Sequence, residues 1–173
     1  MHFQGKSVLI TGGTTGIGYE AASLFAQSGA RVAVNGASAR GEKAREALAK
    51  ATGGEILFLR GDVSEVATCA RLVERVVEAF GGLDILVNNA GIVPAGTALD
   101  ATEAEFDRAF SINVKGTFFL SQCAIGWMKA HGGGVIVNTG SVAGLIGPQN
   151  RAIYAATKGA IISMTRAMAS DHV

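Results

Sequence analysis

Residues 11–18 read Thr-Gly-Gly-Thr-Thr-Gly-Ile-Gly, and their setting decides the fold. Upstream, Ser7-Val8-Leu9-Ile10 is a short apolar run of strand type. Downstream, Ile17, Ala21, Leu24, Phe25 and Ser28 recur at the spacing of one helix face over 17–27, and Gly29 supplies a left-handed stop. A strand entering a helix through glycines brings an anionic diphosphate against backbone N–H groups at a helix N-terminus, where a side chain would hold it off. Gly12 suits the tight turn, Gly16 the close approach and Gly18 the packing of helix on sheet, with Thr14, Thr15 and Ile17 completing the candidate cradle. The spacing G-x-x-x-G-x-G differs from the common dinucleotide fingerprint G-x-G-x-x-G, and it lacks the G-K-[S/T] ending of a P-loop. From the loop alone, a ligand-free glycine turn stays open.

Outward from this unit, apolar runs alternate with amphipathic stretches. Strands are expected at 31–35, 55–60, 84–88 and 134–139, and helices at 40–51, 65–80, 103–130 and 152–169. The 40–51 helix carries Glu42, Lys43, Arg45 and Glu46 on its outer side, and the 103–130 stretch is expected to break near Asn113. Runs of continuous Val, Ile and Leu indicate strands buried on both faces. Regular β-α-β-α order with helix-length crossovers then predicts an α/β fold, a doubly wound parallel sheet with helices on both faces. No repeat and no linker divides the chain, so residues 1–173 are expected to form one domain.

Composition excludes several classes. Fifteen Lys and Arg against fourteen Asp and Glu leave a formal charge of +1, which gives no electrostatic case for nucleic acid or a polybasic membrane anchor. Glycine is in excess, 24 of 173 against a usual share of about 7%, while only 2 prolines occur, so the glycines serve backbone geometry rather than a disordered linker. Cys69 and Cys123 sit among apolar neighbours and read as reduced, buried thiols. With His2, His131 and His172 they form no ligand pattern, so no metal site is expected. Residues 132–150 carry no charge, yet six Gly, two Asn and a Pro make them too broken for a spanning helix. With no basic region and apolar core at its start, the chain is expected to be cytoplasmic, with no membrane partner.

Tyr154 and Lys158 stand at i and i+4 in the last expected helix and share a face. A phenol titrates near pH 10, so ionising one at pH 7 needs roughly 4 kcal/mol. An ammonium about 4 Å away supplies about that much at an effective dielectric of 20. The pair can therefore make a phenol into a proton donor and acceptor, although the spacing alone is a weak signal. Ser141 falls at the C-terminal end of the fifth expected strand, where open α/β sheets bind ligands. On its own it reads equally as a turn residue.

Taken together, these residues resemble the short-chain dehydrogenase/reductase family. The resemblance spans essentially the whole chain and rests on five signals in order: residues 11–18, Asp62-Val63, Asn88-Asn89-Ala90-Gly91, Asn113 in N-V-K-G, and Ser141 followed by Tyr154-x-x-x-Lys158. It implies hydride transfer between a nicotinamide cofactor and a small-molecule carbonyl or secondary alcohol, with Tyr154 as general acid/base. Lys158 would assist ionisation of the phenol and bond the nicotinamide ribose, so Tyr154 and Lys158 also count among the cofactor-binding residues. Ser141 would orient and polarise the carbonyl, and Asn113 would bend its helix to hold a relay water. Asp62 and Val63 would meet the adenine, and Asn89, Ala90 and Gly91 would line the cofactor cleft. Val93, Pro94, Leu145 and Ile146 suggest an apolar substrate pocket. The resemblance further implies that the two long helices, 103–130 and 152–169, pair between subunits in a homodimer or homotetramer.

Cofactor preference turns on the end of the second strand. An acidic residue there would bond the ribose hydroxyls and repel a 2′-phosphate. The position near 36 is Gly36, followed by Ala37, and Ser38 and Arg40 stand ready for a phosphate, so NADP(H) is favoured over NAD(H). Against it, the basic residue that NADP users often carry ahead of the second loop glycine is Thr15 here. Members of the family usually continue past the Tyr-x-x-x-Lys helix into further strands and a mobile substrate loop. The chain is therefore expected to lack that portion, to leave Val135-Ile136-Val137 as an open apolar edge, and to turn over little by itself. A non-catalytic cofactor-binding scaffold is the alternative.

Overall fold

Five parallel strands form the sheet, in the order β3-β2-β1-β4-β5. In the computed structural model, which describes residues 2–172, these are β1 (Ser7–Thr11), β2 (Arg31–Gly36), β3 (Ile56–Arg60), β4 (Ile85–Asn88) and β5 (Val135–Asn138). The central strand β1 is buried along its whole length and pairs with β2 from Ser7↔Arg31 to Thr11↔Asn35 and with β4 from Val8↔Ile85 to Ile10↔Val87. The order reverses direction on either side of β1, so the carboxyl ends of β1 and β4 flank the crevice where such sheets bind ligands.

Helices α1 (Gly16–Gln27), α2 (Gly41–Thr52), α3 (Val66–Phe80), α4 (Glu103–Phe110), α5 (Thr117–Ala130), α6 (Ala143–Ile146) and α7 (Ala152–His172) complete the chain. One core joins Val8, Ile10, Val32, Val34 and Val87 of the sheet to Ala22 and Ala26 of α1 and Leu48 of α2. The other joins Leu9, Ala33 and Leu86 to Leu72 and Val76 of α3 and Leu120 and Ala124 of α5. Neighbouring residues of β1 thus point into opposite cores, as the continuous apolar run predicts.

Four local features differ from expectation. The core face of α1 is Gly18, Ala22 and Ala26, while Ile17 and Leu24 are exposed. A seam of small residues lets the helix lie close on the sheet and turns the larger side chains outward, shifting the buried stripe by one position. The break near Asn113 is a π-helical turn over Ser111–Gly116, so α4 and α5 are joined without interruption rather than separated. A capping box fixes the start of α4, with the Thr102 hydroxyl accepting from the Glu105 N–H at 3.2 Å. Within the uncharged 132–150 stretch, Ala143–Ile146 form the short helix α6, and α7 runs to His172 rather than ending near 169.

Candidate active site

The glycine loop leaves β1 at Thr11, whose hydroxyl accepts from the N–H groups of Asn89 and Ala90, both at 3.0 Å. Asn89 answers by donating its side-chain amide to the carbonyls of Thr11 (3.1 Å) and Gly12 (3.2 Å). The ends of β1 and β4 are thereby stapled, and Gly12 takes a left-handed φ of +61° under Ala90. A Cβ at Gly18 would run into the Gly12 carbonyl, so only glycine lets α1 begin this close to the loop. At Gly16, φ is +54° and a Cβ would meet nothing within 4 Å, leaving open space over the first turn of α1. That turn has no acidic residue, and Thr15 does not cap it with its side chain. The uncapped N-terminus of α1, at the positive end of its helix dipole, is of the kind that fits an anionic diphosphate.

Asp62 and Val63 follow β3. The Asp62 carboxylate accepts from the Ser64 N–H at 3.0 Å, which holds its pKa below the ordinary carboxylate value despite partial burial; Arg108, 3.9 Å away, adds to the effect. Val63 is buried against the π-helical turn, where a Cβ on Gly116 would press on its carbonyl at 2.8 Å. Ala90 is half-buried, and Gly91 is exposed beside the Asn113 side chain, whose Oδ1 a Cβ there would meet at 3.2 Å. Ser38 and Arg40 lie exposed in the loop after β2, with the Ser38 hydroxyl accepting from the Arg40 N–H at 3.3 Å.

Tyr154 and Lys158 occupy successive turns of α7. The Lys158 ammonium sits 5.7 Å from the centre of the Tyr154 ring and donates to the Thr139 carbonyl at 2.6 Å. Lys158 is 6% exposed, and burial lowers its pKa below that of a free lysine. Asn113 is buried in the π-helical turn, accepting from Ile92 N–H at 2.8 Å and donating to the Ile92 carbonyl at 2.9 Å and the Thr157 hydroxyl at 3.1 Å. Thr157 in turn donates to the Tyr154 carbonyl at 2.8 Å. Asn113, Thr157, Tyr154 and Lys158 thus form one connected unit. Ser141 lies beyond β5, in the turn into α6, where its hydroxyl accepts from Ala143 N–H at 3.1 Å. Val93 and Pro94 line a groove with Ala104, Glu105 and Arg108, while Leu145 and Ile146 are exposed on α6.

Several participants escape sequence reasoning. Thr157 could have been found three residues after Tyr154, on the inward face of the same helix. Thr139 acts through its carbonyl, which no side-chain pattern reveals. Asn138 accepts from the Asn88 amide at 2.9 Å and donates to Thr165 at 3.0 Å, tying β4, β5 and α7 together beside the site. Gly144 lets α6 lie against the Lys158 backbone, where a Cβ would approach to 2.6 Å. Among the described residues, no group of three or more His, Cys, Asp or Glu side chains could hold a metal, and no helix is long and apolar enough to cross a membrane.

With this geometry the chain belongs to the short chain dehydrogenases, a family of oxidoreductases that bind a nicotinamide cofactor; the family profile matches residues 6–173. It is 50% identical over all of its length to a protein of Thermotoga maritima named as an uncharacterized oxidoreductase, covering 68% of that protein. It is 42% identical to 2-(S)-hydroxypropyl-CoM dehydrogenase 3 of Xanthobacter autotrophicus, with 95% of this chain and 65% of that protein covered. Among solved structures, NAD+-bound xylitol dehydrogenase superposes with a TM-score of 0.95 at 35% identity, over 99% of this chain and 66% of that one. The chain therefore spans about two thirds of the length of these relatives.

Proposed function

We propose that the protein carrying this chain is an NADP(H)-preferring dehydrogenase/reductase acting on a small carbonyl or secondary-alcohol substrate, with Tyr154 as the proton carrier. The observation that carries the reading is the buried Lys158 ammonium, fixed by the Thr139 carbonyl beside the Tyr154 ring. Tyr154 stands one helical turn from this fixed cation, and its hydroxyl is assigned to give a proton to the substrate oxygen in reduction and to take it back in oxidation. The cofactor, when bound, supplies or accepts the hydride. Its diphosphate would rest on the first turn of α1 between Gly12 and Gly18, flanked by Thr14, Thr15 and Ile17. Asp62, Val63, Asn89, Ala90 and Gly91 would line the adenine and ribose path. Ser141 would hold the substrate oxygen, and Asn113, anchored to Ile92 and Thr157, would set the π-helical turn that positions the relay.

Preference for NADP(H) is supported by Gly36 and Ala37 at the end of β2, where no carboxylate opposes a 2′-phosphate, and by exposed Ser38 and Arg40 in the loop. An apolar groove between α5 and α7, lined by Phe118, Ile125, Met164 and Met168, is a surface on which a second copy would pack, in support of a homodimer or homotetramer. Parallel fluorescence titrations with NADPH and NADH test the cofactor assignment; equal or tighter NADH binding removes the preference. For the chemistry, Tyr154→Phe is expected to lower carbonyl reduction by about 10²–10⁴-fold while NADPH still binds. Retained turnover in that variant overturns Tyr154 as the acid.

A further inference from the structure

The C-terminal end of β3 carries an arginine that the foregoing roles leave unused. Arg60 is the last residue of β3, in register with Gly36 at the end of β2. Its Nε donates to the Ala37 carbonyl at 3.2 Å, so the side chain reaches across the end of β2 to the loop that follows. The backbone on both sides of it is clamped. Asn35, 1% exposed, donates its amide to the carbonyls of Leu59 and Gly61, both at 3.0 Å, and the Gly61 N–H donates to the Gly36 carbonyl at 3.1 Å. Among the described residues Arg60 has no carboxylate within ion-pairing distance, and the residue is exposed. Gly36 lies against Thr14 of the glycine loop, where a Cβ would come within 3.0 Å of the Thr14 methyl; a longer side chain at 36 would therefore have to displace Thr14.

We propose that Arg60 is the principal anchor for the 2′-phosphate of the adenosine half of NADP(H). The inference rests on the reading of this cleft as a nicotinamide site. With Nε held by Ala37, the two terminal guanidinium nitrogens remain as a planar pair of donors, the geometry that binds a phosphate in bidentate fashion. Arg40 is held through its backbone, its N–H on the Ser38 hydroxyl and its carbonyl on the Lys43 N–H, so its side chain must lose more freedom to reach the same anion. Arg60 is thus the preorganised cation and Arg40 the auxiliary one, although only Arg40 stands in the loop that a search for the specificity residue would inspect.

The test is the ratio of NADPH to NADH affinity, by fluorescence titration of the 173-residue chain and its variants. Arg60→Gln removes the charge but keeps an amide able to donate to Ala37. It is expected to cut the NADPH preference by about tenfold and to leave NADH binding within about twofold. Arg60→Lys should restore part of the preference, Arg40→Gln should cost less than Arg60→Gln, and the parent's preference should shrink as salt is raised. A parent that prefers NADPH and keeps its full ratio in Arg60→Gln overturns this assignment while the proposed function stands. A parent without preference overturns both Arg60's role and the NADP(H) reading, and no binding of either nucleotide overturns the cleft itself.

Discussion

Two glycines of the loop between β1 and α1 do different work. At Gly18 the constraint is space: a Cβ would strike the Gly12 carbonyl and come within 2.5 Å of the Asn89 amide, so Gly18→Ala must push α1 off the loop. Denaturant unfolding should register a loss of about 1–3 kcal/mol, together with weakened NADPH binding. At Gly16 there is space but a left-handed φ, so alanine there should cost only about 1–2 kcal/mol of backbone strain. Lys158 tests electrostatics at the same scale. Burial lowers its pKa in the folded chain, so near that lowered value the unfolded state holds more protons than the folded one. Stability therefore rises with pH between the lowered folded value and the ordinary lysine value. Lys158→Met removes this slope, and urea midpoints of parent and variant should converge as pH rises through that window. A constant difference from neutral pH to pH 10 would show that the ammonium is not destabilised by its site.

The π-helical turn behaves as a unit with α7. Asn113 is 1% exposed and spends its amide on Ile92 and Thr157, while Thr157, wholly buried, spends its proton on Tyr154. Thr157→Val keeps the shape and strands the Asn113 amide, so it should lower stability by about 1–3 kcal/mol, with Thr157→Ser restoring most of it in thermal unfolding. Element order and type were legible because each strand is a short Val/Ile/Leu run and each crossover is of helical length. What stayed hidden was decided by close approach. The α1 stripe moved because Gly18, Ala22 and Ala26 outcompete Ile17 and Leu24 for contact with the sheet, and hydropathy alone ranks them the other way. The expected break at Asn113 became a π-turn because buried polar side chains satisfy the altered ladder, a tertiary effect. The spacing of Tyr154 and Lys158 is visible in the sequence but weak alone, and Asn113 enters only through the family resemblance, whereas the Lys158–Thr139 and Arg60–Ala37 contacts are made to backbone carbonyls only on folding.

At the scale of the whole molecule the sheet is asymmetric. β1, β2 and β4 are buried, but β5 pairs only with β4, and Val135 and Val137, on one face of the sheet, remain 56% and 47% exposed. Beside that edge runs an apolar groove walled by Met128, Ile136 and Met168. An open strand edge with unpaired N–H and C=O groups next to apolar surface is a template for another strand. The 173-residue chain should therefore associate reversibly as its concentration rises, and this added step should depend on β5, apart from the α5 and α7 pairing proposed for the homo-oligomer. Val135→Lys and Val137→Lys place charges on the face of the edge strand at positions that are already half in solvent, so the fold should survive while association weakens. Sedimentation velocity across a hundredfold concentration range separates the two surfaces. Loss of association in the β5 variants, with Phe118→Ser unchanged, assigns it to the sheet edge; the reverse pattern assigns it to the helices.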